Sequence, residues 1–179
     1  TGFSQPCARL LKCRDRALAL GEKTLLMGIV NVTPDSFSGD GLGSDTAAAI
    51  AQGKRMVEEG AAILDIGGES TRPGAAPVTL EEELARVLPV VEGLAETGAL
   101  LSIDTYKSAV ARAALAKGAH LVNDISGLRF DDAMAATAAE FGAGVIIMHI
   151  QGTLREMQEK PKYDDVIGEI SDYLAEGLA

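Results

Sequence analysis

The segment Leu25-Leu26-Met27-Gly28-Ile29-Val30-Asn31-Val32-Thr33-Pro34-Asp35-Ser36-Phe37-Ser38-Gly39-Asp40-Gly41 sets the reading of the whole chain. Leu25–Val30 is an apolar run without alternation, the pattern of a strand buried on both faces in a parallel sheet. Pro34 bars a helical continuation, and Gly39 and Gly41 leave the following loop adaptable. Asn31, Asp35, Ser36 and Ser38 therefore gather just past the carboxyl end of a core strand, where α/β folds place their ligand sites.

The same unit recurs downstream. Strands are predicted at Ile63–Ile66, Leu100–Ile103, Leu121–Val122 and Gly144–Met148. Between them run helices from Ser44 or Asp45 to Glu59, from Thr79 through Leu94, from Ser108 to Lys117 and from Asp131 to Phe141. Thr79 with Glu82 forms a capping box, and Leu84, Val87, Leu88, Val91 and Leu94 follow at helical spacing. A last helix spans roughly Asp165–Leu178, with Val166, Ile170, Tyr173 and Leu174 on one face. Thr1–Lys23 reads as two short strands or a helical turn over the closed end of a barrel.

Five consecutive βα units without a linker give a doubly wound sheet or part of a (β/α)8 TIM barrel. No Gly-x-Gly-x-x-Gly follows the first strand, so a Rossmann unit is disfavoured. Polar residues at nearly every strand end favour the barrel. The chain, read as one incomplete barrel domain, stops three units short.

The 179 residues have a net charge of −10, which argues against nucleic acid and anionic membrane as partners. With 47% hydrophobic residues and only 4% aromatics, the composition suits close helix–sheet packing. An anionic ligand would need a local device such as an Arg, a metal ion or a helix amino terminus. Cys7 and Cys13 are too few for zinc and read as free thiols of a cytoplasmic protein. No segment reads as a signal peptide or a membrane helix.

The candidate site residues follow the strand ends. Asn31 offers an amide oxygen to a hard cation or a phosphate, or closes an Asx turn; with Asp35 it suits Mg²⁺ beside a diphosphate. Ser70-Thr71-Arg72-Pro73-Gly74 presents hydroxyls and a guanidinium for phosphate or carboxylate, unless Arg72 simply pairs with Glu69. Asp104 and Asn123 can read a heterocycle edge, and Asp104 can offset developing positive charge. Asp65 is assigned a structural role inside the barrel, and Asp124 closes a loop or caps a helix. Met148 fits a flat ring or, taken alone, the core. His149 is a loop ligand or a satisfied histidine, and His120 is structural.

Gly28–Ser38 resembles the first signature of the dihydropteroate synthase family, and Asp65–Gly74 resembles its second. Ser102-Ile103-Asp104-Thr105, Val122-Asn123-Asp124-Ile125-Ser126-Gly127 and Met148-His149-Ile150-Gln151-Gly152 are similar to later motifs in the same order. The resemblance implies a (β/α)8 barrel of folate biosynthesis, a cytoplasmic homodimer that uses Mg²⁺. It would condense 6-hydroxymethyl-7,8-dihydropterin diphosphate with 4-aminobenzoate into 7,8-dihydropteroate and diphosphate. In such enzymes the C–O bond to diphosphate breaks first, and the arylamine captures the resulting cation.

By the same resemblance, Asp104, Asn123 and Met148 would hold the pterin, with Asp104 stabilising the cation. Asn31 and Asp35 would bind Mg²⁺–diphosphate, and Thr71 and Arg72 would contact substrate. Phe37 and Pro73 would border the 4-aminobenzoate pocket, which sulfonamides imitate. The family's later Asp, its Ser-x-Lys-Gly lysine and its Arg-x-His pair have no counterpart here. The expectation is a chain that is the first part of a longer polypeptide, lacking on the order of 100 residues. The alternatives are the pterin-binding part of a corrinoid methyltransferase and a catalytically inert pterin-binding fragment.

Overall fold

A computed structural model describes residues 9–32, 42–70, 77–152, 157 and 161–178. Its elements run β1 (Arg9–Cys13), β2 (Arg16–Leu20), β3 (Leu26–Asn31), α1 (Leu42–Glu58), β4 (Ala61–Gly67) and α2 (Leu80–Leu94), followed by β5 (Leu100–Asp104), α3 (Ser108–Ala116), β6 (Leu121–Asp124), α4 (Met134–Phe141), β7 (Gly144–Ile147) and α5 (Val166–Gly177). The sheet order is β3-β4-β5-β6-β7 with every neighbouring pair parallel, so chain order and spatial order coincide, as in successive staves of a barrel.

Strand alternation divides the apolar residues between two faces. Val30, Leu64, Ile66, Leu101, Ile103 and Val122 point outward and pack with Val87, Val91, Leu94, Val110, Leu115 and Met134 of the helices. Ile63, Leu100 and Leu121 point inward and form a second buried cluster with Cys13. The antiparallel β1–β2 hairpin therefore lies across the amino ends of the strands. Arg14, in a left-handed conformation at φ 61°, donates to Leu115 O at 2.9 Å and Ala119 O at 2.8 Å. The Leu115 carbonyl lies in the last turn of α3, at its negative end, where a cation is favoured.

The first strand departs from expectation. Leu26 and Ile29 are 57% and 59% exposed, so β3 is buried on its helix-facing side only. Among the described residues β3 pairs with β4 alone, and nothing described covers its inner face. Two helix starts also differ. The Thr79–Glu82 capping box is present on both sides, but Ser108 does not cap α3. Its N–H donates instead to Asp131 Oδ2 at 2.7 Å, and α4 begins later, at Met134. Met148, which taken alone suits the core, is 38% exposed. Asp165 caps α5 through Gly168 N, and Gly142 ends α4 at φ 61°.

Helices α1 and α2 approach closely because each offers a glycine to the other. A β-carbon at Gly53 would lie 2.8 Å from Leu94 Cδ1, and one at Gly93 would collide with Ile50. Gly53→Val should accordingly destabilise the protein by about 1–3 kcal/mol through overpacking. Urea unfolding checks this, and an unchanged midpoint would mean that the helices can separate without cost.

Candidate active site

One row of the ladder gathers the strand-end groups. Asn31 pairs with Gly67, Gly67 with Asp104, and Asp104 with Asn123. All four lie on the inward face at the carboxyl ends of β3 to β6. Gly67 matters here because a β-carbon would sit 3.3 Å from Asp104 Oδ2, in the space the carboxylate occupies. Met148 follows β7 at the same end, and its backbone N–H donates to Asp124 O. Asp35, Phe37, Thr71, Arg72, Pro73 and Cys7 lie outside the described residues.

One row deeper, Asp65 stands opposite Ser102. Asp65 is buried at 5% exposure, and its Oδ2 accepts 2.8 Å from Asn123 Nδ2. Burial raises its pKa, an effect opposed by the neighbouring Ser102 and Asn123. Ser102 is near enough to matter electrostatically, yet among the described residues neither its Oγ nor Asp65 Oδ1 has a partner at hydrogen-bonding geometry. Asp104 is pushed up to about 7, first by burial and then by the negative charges of Asp65, Glu83, Asp124 and Glu69. At neutral pH its carboxyl is therefore divided between neutral and ionised forms.

Asp124 faces away from this row, as strand alternation requires. Fully buried, it accepts from Ser126 N at 2.7 Å, Ser126 Oγ at 2.6 Å and Leu128 N at 3.2 Å, closing the loop after β6. His149 packs edge-on against Tyr173, with centroids 4.7 Å apart, and Tyr173 donates to Ser126 O. His120 accepts through Nδ1 from Leu101 N at 3.2 Å, and burial lowers its pKa. Cys13 is a buried free thiol.

The sequence reading missed a half-buried charge cluster beside Asp104, with Glu83 at its buried end. Lys107 Nζ lies 2.6 Å from Glu69, 2.5 Å from Glu83 and 2.8 Å from Val78 O. Tyr106 also donates to Glu69, at 3.0 Å. Burial would lower the Lys107 pKa, but the hydrogen bonds to Glu69 and Glu83 outweigh it and the net shift is upward. Glu69 thus pairs with Lys107, while Arg72 lies outside the described residues. Residues 69 and 78, which flank the segment carrying Thr71 and Arg72, are held by the same ammonium. The signal was available: Glu83 occupies the apolar stripe of α2 with Val87, Val90, Val91 and Leu94. A carboxylate there requires a buried cation.

The family model described as "Pterin binding enzyme" matches residues 27–179. The chain belongs to the pterin-binding enzyme family. It is 50% identical to dihydropteroate synthase of Escherichia coli K12 over 155 residues, covering 86% of this chain and 55% of that protein. It is 48% identical to the Synechocystis enzyme of the same name over 156 residues, covering 87% and 54%. The chain thus spans about half the length of the curated relatives it matches.

Among solved structures, Xanthomonas albilineans dihydropteroate synthase with 4-aminobenzoic acid superposes with a TM-score of 0.84 at 46% identity, over 96% of this chain and 60% of that one. The Yersinia pestis enzyme in a sulfonamide drug complex gives 0.85 at 44% identity, over 95% and 62%. The Burkholderia cenocepacia enzyme complexed with 7,8-dihydropteroate gives 0.80 at 45% identity, over 95% and 57%. With these likenesses, the sequential parallel sheet is read as five units of a (β/α)8 barrel.

Two outcomes are expected from this geometry. Lys107→Met leaves buried Glu83, and half-buried Glu69, without their cation and should cost about 3 kcal/mol in urea unfolding; an undiminished midpoint would remove the ammonium from any structural role. Asp104 binds its proton more tightly folded than unfolded. Its contribution to stability is therefore present below the unfolded value and is lost as pH rises through about 7. Asp104→Asn removes that loss, so its stability relative to the unmodified protein should rise between about pH 4 and pH 7 and level off above. A pH-independent difference would contradict the upward shift.

Proposed function

We propose that the full-length protein is a dihydropteroate synthase, a transferase joining 6-hydroxymethyl-7,8-dihydropterin diphosphate to 4-aminobenzoate. The observation that carries this reading is the single inward row of Asn31, Asp104 and Asn123, with Gly67 leaving room beside Asp104. The relatives supply the chemistry that such a row can serve, and their synthase names favour it over a corrinoid methyltransferase.

In this proposal Asn123 and Asp104 face the polar edge of the pterin, and Met148, half-exposed at the same end, lies against its ring. The C–O bond breaks with its electron pair leaving on diphosphate, and the exocyclic carbon becomes cationic. Ionised Asp104, among the carboxylates of Asp65, Glu83, Asp124 and Glu69, stabilises that charge. The arylamine lone pair then forms the C–N bond, and the resulting ammonium gives its proton to solvent. Phe37 and Pro73 border the arylamine, while Thr71 and Arg72 contact substrate.

Mg²⁺ belongs to this proposal as well. Asn31 presents a carboxamide oxygen at an exposed strand end, a donor suited to a cation that keeps several waters and shares phosphate oxygens. Asn31 would hold the ion with Asp35, and the ion would neutralise the leaving diphosphate. A cytoplasmic homodimer completes the reading, supported by the family resemblance. Among the described residues no helix is long and apolar enough to cross a membrane.

The test is diphosphate release by the full-length protein given both substrates and Mg²⁺. Activity is expected to rise with pH through about 7 as Asp104 ionises, and Asp104→Asn should lower kcat by roughly 10²-fold or more. Pterin binding without diphosphate release would instead identify an inert binding protein.

A further inference from the structure

The contact between Asp65 and Asn123 joins residues 58 positions apart, across the intervening strand β5. An ionised carboxylate can only accept hydrogen bonds, whereas a carboxamide has one accepting and one donating end. Asn123 Nδ2 donates to Asp65 Oδ2 at 2.8 Å, and while Asp65 is ionised the nitrogen is the end of the amide that can face it. The oxygen Oδ1, on the opposite side of the planar amide, is thereby turned away from Asp65. Asp65 is nine-tenths buried, and among the described residues its second oxygen has no partner at hydrogen-bonding geometry. Asn123 is thus the side chain whose hydrogen bond it holds, and rotating that amide would set two oxygens against each other.

We propose that Asp65 is a positioning residue for ligand recognition: by holding the Asn123 amide nitrogen, it fixes Asn123 Oδ1 as an outward acceptor. The site then selects a nitrogen heterocycle that offers a ring N–H or amino group to Asn123 over one that offers a lone pair. This inference rests on the proposed function for the identity of the ligand. It changes the role of Asp65 from a filler of the barrel interior to a group acting through its neighbour.

The test is a double-mutant cycle on the full-length protein, with Asp65→Leu, Asn123→Leu and the double variant. Binding of 6-hydroxymethyl-7,8-dihydropterin diphosphate is measured by calorimetry, below the melting temperature of each form. Asp65→Leu should weaken binding about 10-fold in the unmodified background and less than about 2-fold in the Asn123→Leu background. Asp65→Asn, whose amide oxygen still accepts from Asn123, should stay within about 3-fold. If Asp65→Leu does not fold, Asp65→Ser, too short to reach Nδ2, replaces it in the cycle.

An equal loss in both backgrounds would overturn the proposal, as would unchanged affinity with a lowered Tm. So would an Asp65→Asn loss as large as that of Asp65→Leu, because charge rather than the acceptor would then be at work. Failure of the unmodified protein to bind the pterin diphosphate would overturn the proposed function and this inference together.

Discussion

Packing of the outer sheet face against the helices fixes the phase of every strand, and the site depends on that phase. Leu64, Ile66, Leu101, Ile103 and Val122 are held outward by Val87, Val91, Leu94 and Leu115. Because side chains alternate, Asp65, Gly67, Ser102, Asp104 and Asn123 have only the inner face left. A slip of one residue in β5 would send Asp104 among the helices and bring Ile103 inward. The apolar contacts thus do two tasks: they stabilise the sheet, and they aim polar groups that contribute little stability themselves.

The two ends of the strands are built differently. At the amino ends, Ile63, Leu100 and Leu121 close over Cys13, and arginines from the hairpin meet backbone carbonyls. At the carboxyl ends, carboxylates crowd one another, and one side chain, that of Gly67, is missing where Asp104 needs space. The lower end is apolar packing closed by arginines, and the upper end collects carboxylates of which Asp104 is the one pushed furthest toward its neutral form. Such an arrangement suits a barrel whose reactive face is supported from below.

Much of this was legible in the sequence because it is local. The apolar runs of β4 and β5, the Thr79–Glu82 box and the stop at Gly142 are each decided within a few residues. The exposure of Leu26 and Ile29 was not legible, since burial of a strand depends on what lies beside it rather than on its own composition. Ser108 failed as a cap for a similar reason: Asp131, from another loop, reaches its N–H first. In the site, Asn31, Asp104 and Asn123 were found by their place at strand ends. Asp65 and Lys107 were undervalued because their partners lie far along the chain. Glu83 on an apolar helix face was the readable clue to the second of these.

A carboxyl group poised near 7 makes Asp104 a proton reservoir as well as a charge. A guest carrying negative charge favours its neutral form and draws a proton from solution; a guest bearing positive charge favours its ionised form and expels one. The heat of ligand binding would then include the ionisation enthalpy of whichever buffer supplies or accepts that proton. Affinities of charged and neutral pterin analogues would also rank differently on the two sides of neutrality, with no change in the contacts they make.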